Sequence, residues 1–87
     1  MSRTDSRPGQ LARVQLAPDP ALAAVLRRMR VERGATQEAL AYRSGITTGS
    51  LARIELGQAS PAWTTVRQIA KALDVSMAEL AAGVEAS

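Results

Sequence analysis

Arginines and hydroxyl-bearing residues supply most of the chemistry available to this chain, because the sequence contains no cysteine and no histidine. Thiol catalysis, disulfide bonds and the usual zinc ligands are therefore excluded. Serine, threonine, aspartate and glutamate are present, but no nucleophile lies beside a histidine and no glycine-rich loop is built to cradle phosphates. The sequence predicts that the protein is not an enzyme, and it implies no metal ion and no cofactor.

The basic residues are concentrated in the first part of the chain. Residues 1–35 hold seven arginines against three acidic residues, a charge of +4, whereas residues 36–87 hold four basic and five acidic side chains, a charge of −1. Ten of the eleven basic residues are arginine, whose planar guanidinium binds a phosphate or a guanine edge through two hydrogen bonds. This charge favours a polyanionic partner, and an ordinary solvated basic surface is the alternative.

The elements that must position these side chains begin after residue 18. Residues 1–18 mix serine, proline, glycine and arginine without a helical period, which is typical of a flexible basic arm. Its apolar residues Leu11, Val14 and Leu16 leave open a short strand or a docking segment. Residues 19–83 carry regular helix signals and residues 84–87 are assigned to a tail, so we expect one domain. Apolar residues make up 46% of the chain and aromatic residues 2%, which favours closely packed short helices over a sheet.

Five short helices are predicted from apolar spacing, capping residues and the glycines that end them. The first runs from Pro20 to Arg33, the second follows Thr36 and ends before Gly45, and the third runs from about Thr48 to Leu56. The fourth is marked by an inner apolar stripe from Trp63 to Leu73, and the fifth is opened by Ser76 and Glu79 and ends near Gly83. Trp63 is assigned to the inner stripe of the fourth helix as a core residue. The longest apolar run, residues 21–26, is too short to span a bilayer, so we expect a soluble, cytoplasmic protein without a membrane partner.

Two short helices joined by a tight turn that contains glycine form a helix-turn-helix arrangement. The segment from Leu26 to Leu80 resembles the phage-repressor and Cro-like (Xre-like) helix-turn-helix family. The resemblance rests on these pieces, in order and at the family's spacing: Gly34-x-Thr36-Gln37-Glu38-x-Leu40-Ala41, Gly45-Ile46-Thr47, Ile54-Glu55-x-Gly57, Pro61, and Ala70-x-Ala72-Leu73 followed by Val75. It implies an all-α, five-helix, lambda-repressor-like domain that binds double-stranded DNA.

Base-reading residues are expected near the start of the third helix, because the major groove of B-DNA admits one α-helix. By resemblance, the base-reading positions fall on Thr48, Gly49 and Arg53. Arg53 can bond O6 and N7 of guanine together, and a phosphate or solvent contact is its alternative. Gly49 departs from the family, whose members usually carry a larger side chain there. It either lets the backbone approach a base edge or a thymine methyl group, or it discards a base contact.

Contacts to the DNA backbone are expected around the same pair of helices. The free amides at the start of the second helix form an anion site. By resemblance, Gln37 contacts the backbone and braces the third helix, and a cap residue facing water is the alternative. The residues predicted to contact the DNA backbone are Thr36, Gln37, Arg43, Thr47, Ser50, Gln58 and Ser60.

Arg30 and Glu55 match positions that often form a partly buried ion pair in the family. The resemblance implies that this pair links the first helix to the end of the third and fixes the pose of the reading helix. Two solvated charges are the alternative.

The predicted function is that of a sequence-specific DNA-binding regulator, a repressor in preference to an activator, that acts as a homodimer. One alternative is an antitoxin or small controller protein that also binds a protein partner through the N-terminal arm or the fifth helix. Another is a helical adaptor that does not bind DNA. The candidate dimer faces are the arm and the fifth helix, with Leu80 and Val84.

Overall fold

The computed structural model describes residues 19–87, and this part of the chain folds into five α-helices without a strand. They are α1 (Pro20–Glu32), α2 (Gln37–Ser44), α3 (Thr48–Glu55), α4 (Trp63–Ala72) and α5 (Met77–Ala86). The predicted all-α, five-helix architecture is confirmed. None of these helices has the length and apolar character that crossing a membrane requires. The predicted arm, with Leu11, Val14 and Leu16, lies outside the described residues.

Side-chain caps begin four of these five helices, at the residues that the sequence pattern predicts. Asp19, Thr36, Thr47 and Ser76 each accept a backbone N–H from the first turn that follows. Ser76 and Glu79 complete a reciprocal capping box. These bonds satisfy amides that have no partner within the helix, and each such cap contributes about 1 kcal/mol.

A single apolar core holds α3 from two sides. α2 packs against α3 and α4, and α1 packs against α3 and α5. The largest fully buried side chains are Leu26, Leu40, Leu51, Ile69, Leu73 and Val25. Burying one such side chain contributes about 1.5–3 kcal/mol. The orientation of α3 is therefore set by the same contacts that stabilise the whole domain.

The last helix does not end where the sequence predicts. α5 continues to Ala86, past Gly83, so the predicted end of the fifth helix is wrong and residues 84–86 are helical. A Cβ atom on Gly83 would lie 3.1 Å from Cγ1 of Val25. The glycine therefore lies at a close approach of α5 to α1, where a larger residue would press on Val25, and it does not act as a helix stop. The ends of the other four helices fall within one residue of the predicted positions.

Trp63 is not a core residue, so its sequence assignment is wrong. Its surface is 67% exposed, because it is the first residue of α4 and lies one turn ahead of the buried stripe that begins at Val66. The helical period puts Trp63 on the inner side, but the core does not extend to the beginning of the helix.

Candidate nucleic-acid interface

A three-residue turn, residues 45–47, joins α2 to α3. Gly45 has a left-handed backbone conformation (φ 75°), which glycine adopts without steric cost. The N–H of Ile46 donates to the carbonyl of Ala41 at 3.1 Å, and the Ile46 side chain packs against the core. Thr47 then caps α3. Each residue of the turn is thus held, so the angle between α2 and α3 is fixed.

α3 has a buried inner face and an open outer face. Leu51 and Ile54 are 0% and 5% exposed and anchor the inner face. Of the three residues predicted to read bases, Gly49 and Arg53 are exposed on the other side, whereas Thr48 is half-buried at the border of the inner face. The first two turns of α3 therefore leave their outer side exposed to solvent, while the inner side packs against the domain.

Arg30 on α1 and Glu55 at the end of α3 form a bidentate ion pair. The distances are 2.8 Å from Nε to Oε2 and 3.0 Å from Nη2 to Oε1. The Arg30 side chain is 13% exposed and that of Glu55 is 2% exposed. Nη1 of Arg30 also donates to the carbonyl of Ala35 at 2.9 Å. One guanidinium therefore connects α1, the loop before α2, and α3.

Arg30 keeps its positive charge in spite of its partial burial. Hydrogen bonding to Glu55 raises the pKa of Arg30 above its ordinary value, burial opposes this shift, and the negative charge of Glu55 adds to it. Removing one partner would leave the other charge buried and uncompensated.

Gln37, predicted to contact a DNA backbone and to brace the third helix, bonds to this ion pair. Its Nε2 donates to Oε1 of Glu55 at 3.0 Å. Because a carboxylate only accepts, this bond fixes the orientation of the amide and leaves its carbonyl oxygen and second N–H for another partner. The sequence does not reveal the bond, since 18 positions separate the two residues and only the packing of α2 on α3 brings them together.

Two of the residues predicted to touch a DNA backbone are helix caps whose hydroxyls are already held in place. Oγ1 of Thr36 accepts the N–H of Ala39, and Oγ1 of Thr47 accepts the N–H of Ser50, both at 3.0 Å. The hydroxyls of Thr47 and Ser50 also bond to each other at 2.9 Å. Thr47 and Ser50 have one hydroxyl hydrogen each, and their mutual bond uses one of the two. The other O–H remains available as a donor.

The remaining predicted backbone contacts lie on the two segments that flank α3 in the chain. Arg43 is exposed in the last turn of α2, and Gln58 is exposed in the loop that follows α3. Ser60 is half-buried and lines a shallow hollow of about 190 Å³ together with Ser50 and Arg53. The loop therefore borders the outer side of α3. Among residues 19–87 no group of acidic side chains is arranged to hold a metal ion.

Comparisons with known proteins match this same region. A model of the helix-turn-helix domain matches residues 21–83. Over 53 residues the chain is 42% identical to y4dJ of Sinorhizobium fredii, described as an uncharacterized HTH-type transcriptional regulator, in an alignment that covers 61% of this chain and 69% of the relative.

Two solved structures illustrate the similarity in three dimensions. One is the clp gene regulator ClgR from Corynebacterium glutamicum, with a TM-score of 0.76, 28% identity and coverage of 78% of this chain and 72% of that chain. The other is the restriction-modification controller protein C.AhdI from Aeromonas hydrophila, with a TM-score of 0.68, 31% identity and coverage of 70% of this chain and 92% of that chain. The residues matched by the domain model include every residue of the interface described above.

Proposed function

This chain belongs to the helix-turn-helix family of DNA-binding transcriptional regulators, and on that premise we propose that it binds a specific double-stranded DNA sequence as a homodimer, inserts α3 into the major groove and acts as a repressor. The observation that carries the proposal is the division of α3 between an anchored inner face and an open outer face. A helix that reads bases needs both, because its side chains discriminate only if the helix axis is held still.

Arg53 is the principal base-reading residue of this proposal. It is exposed in the second turn of α3, where its guanidinium can donate to O6 and N7 of one guanine. Such a bidentate contact contributes about 1–3 kcal/mol of discrimination against the wrong base. Thr48 and Gly49 contact the neighbouring bases from the first turn.

Phosphate contacts on both sides of α3 position the domain without reading sequence. The first turn of α2 supplies Thr36, Gln37 and the free amides at its N-terminus, where the helix dipole favours an anion. The remaining donors on both sides of the groove are Arg43, Thr47, Ser50, Gln58 and Ser60. Gln37 has a double role, because its bond to Glu55 ties a phosphate-contacting amide to the end of the reading helix.

A homodimer is proposed because one α3 reads few base pairs. The helix has eight residues and so is about 12 Å long, which limits its base contacts to a short half-site. A twofold pair of domains presents two α3 helices to half-sites about 34–36 Å apart. Repression is proposed over activation because it needs only DNA binding. A protein that occupies a promoter excludes the polymerase without a further contact.

A small controller protein or antitoxin, which also binds a protein partner, is the second candidate. The similarity to C.AhdI, a restriction-modification controller protein, favours this candidate over a helical adaptor that does not bind DNA. The partner would bind through the arm or through α5. The helical adaptor is the third candidate, and loss of Arg53 would not affect its function.

Selection of bound sequences from a random pool of double-stranded DNA tests the proposal. The purified full-length chain should enrich an inverted repeat whose half-sites lie one helical turn apart. Binding to the enriched site should weaken with salt, with a slope of about −0.9 per phosphate neutralised. Failure to enrich any motif, together with a flat salt response, would overturn the proposal. An enriched motif without a repeat would overturn only the homodimer.

A further inference from the structure

One glycine among residues 19–87 has no role in the fold. Gly34, Gly45 and Gly57 have positive φ angles of 67°, 75° and 74°, which disfavour other residues. A Cβ atom on Gly83 would lie 3.1 Å from Cγ1 of Val25, which is a tight contact. Gly49 has an ordinary helical backbone, and a Cβ atom placed on it would have no neighbour within 4 Å.

Gly49 therefore weakens α3 without a compensating contact inside the domain. Glycine is a poorer helix former than alanine because it loses more backbone freedom on folding. α3 is only eight residues long, so it has few other residues to offset this loss. A reason for the glycine must come from something that approaches α3 from outside.

We propose that Gly49 forms a notch that receives the 5-methyl group of a thymine in the bound DNA. This inference rests on the proposed function, because it assigns a base preference to one position of the reading helix. Base edges in the major groove carry hydrogen-bonding groups and a single kind of apolar group, the thymine methyl. Gly49 presents only the hydrogens of its Cα, so it has no side-chain donor or acceptor to offer the polar groups.

The neighbours of Gly49 give the notch its shape. On a helix, residues three and four positions later lie on the same face, and here these are Ala52 and Arg53. Ala52 is half-buried and contributes a methyl group to this face, and Arg53 is exposed on it. Arg53 reads guanine through hydrogen bonds, and Gly49 reads thymine through the close fit of its methyl group.

The test combines a DNA change with a protein change. In the enriched site, each thymine is replaced in turn by uracil, which lacks only the methyl group. At one position per half-site, uracil should weaken binding of the wild-type chain about fourfold, the loss expected for one buried methyl group. Gly49→Ala places a methyl group in the notch, so it should weaken binding to the thymine site at least about fivefold and bind the uracil site as well as the wild type does.

Thr64→Ala is the matched control. Thr64 is exposed and occupies the second position of α4, the place that Gly49 occupies in α3, so the substitution also improves helix propensity in a first turn. It should keep the wild-type response to uracil. Gly49→Ala should melt a few degrees higher than the wild type, which separates weaker binding from misfolding.

Each remaining outcome decides between the two proposals. If uracil weakens the wild type at no position, or weakens the wild type and Gly49→Ala by the same factor, the notch is overturned while the DNA-binding function stands. If the chain enriches no sequence at all, the proposed function fails first.

Discussion

The two faces of α3 use the same eight residues for different purposes. The inner face consists of Leu51, Ile54 and Glu55, each of which is at most 6% exposed. This face joins α3 to the rest of the domain. The outer face, with Gly49 and Arg53, is exposed. Substitutions on the inner face should therefore change stability, and substitutions on the outer face should change DNA recognition.

Two charged residues show how sharply this division runs. Arg53 and Glu55 are two positions apart, which is about 200° around a helix. Arg53 is exposed, whereas Glu55 is 6% exposed and shares its carboxylate with Arg30 and Gln37. Two charged residues that are close in sequence can therefore have different roles. The side of the helix on which each one lies decides whether it is available to DNA or stabilises the fold.

The largest effect is expected from Glu55→Ala, on the inner face. The substitution leaves the Arg30 guanidinium buried without its carboxylate and removes the acceptor of the Gln37 amide. We expect a loss of about 3–5 kcal/mol in the free energy of unfolding, measured by urea denaturation followed by circular dichroism. A loss below about 1 kcal/mol would contradict the structural role of the pair.

Glu32→Ala is the control for this prediction. Glu32 pairs with Arg28 at 3.6 Å, but both side chains are more than half exposed, so the change should be within about 0.5 kcal/mol. Replacing both buried partners, as in Arg30→Met with Glu55→Leu, should recover most of the stability. Weaker DNA binding by that stable double variant would show that the ion pair orients α3.

Arg53→Ala tests the outer face and should have the next largest effect. Binding to the enriched site should weaken by about 1–3 kcal/mol, with the preference for guanine lost at one base pair per half-site. The free energy of unfolding should stay within about 0.5 kcal/mol, because the side chain is exposed. Binding titrations against single-base variants of the site measure the first effect, and urea denaturation measures the second.

Arg67→Ala serves as the matched arginine control, since Arg67 is also exposed but lies on α4, outside the predicted interface. It should leave base preference unchanged. If Arg53→Ala weakened binding equally for all base variants, Arg53 would be a phosphate contact and not a base reader. If it left both affinity and base preference unaltered, Arg53 would take no part in DNA recognition.

The sequence predicts where the helices begin and end better than it predicts the contacts between them, for a physical reason. Caps and helix stops are local, so Asp19, Thr36, Thr47 and Ser76 are identifiable from a few neighbouring residues. Contacts that depend on packing are less accessible. The bond from Gln37 to Glu55 requires α2 to lie on α3, and the exposure of Trp63 depends on where the core ends.

Gly83 shows the same limit at the other end of the domain. From sequence alone it is indistinguishable from a helix stop, because a glycine near the end of a helix usually marks the end. Its actual role depends on the distance between α5 and Val25, which no local pattern encodes. The candidate base-reading residues Thr48, Gly49 and Arg53 are assigned by resemblance, and their base contacts remain predictions.

Ser44→Ala should have a smaller effect on the free energy of unfolding, and it should stabilise the domain. Ser44 ends α2 and is 2% exposed, and its hydroxyl has no hydrogen-bond partner among residues 19–87. Removing an unsatisfied buried hydroxyl should raise the free energy of unfolding by about 1 kcal/mol, measured by urea denaturation. A decrease would indicate that the hydroxyl has a partner, and DNA affinity should be unchanged in either case.

The smallest effect concerns a charge remote from α3, the Glu79 carboxylate of the α5 capping box. It accepts the N–H of Ser76 at 2.8 Å, and this backbone bond, aided by the Ser76 hydroxyl, lowers the pKa of Glu79 below its ordinary value of 4.5. A carboxyl group whose pKa is lower in the folded state stabilises the fold above its ordinary pKa and loses that contribution as the pH falls through the folded-state value. Acidification from about pH 6 to about pH 3 should therefore cost the wild type slightly more stability than it costs Glu79→Gln, which keeps a hydrogen-bond acceptor without titrating. Equal slopes of unfolding free energy against pH for the two proteins would contradict the prediction.

Because the carboxylate of Glu79 is fully exposed, solvent screens its charge. Its contribution to stability should therefore be far smaller than that of the buried Glu55.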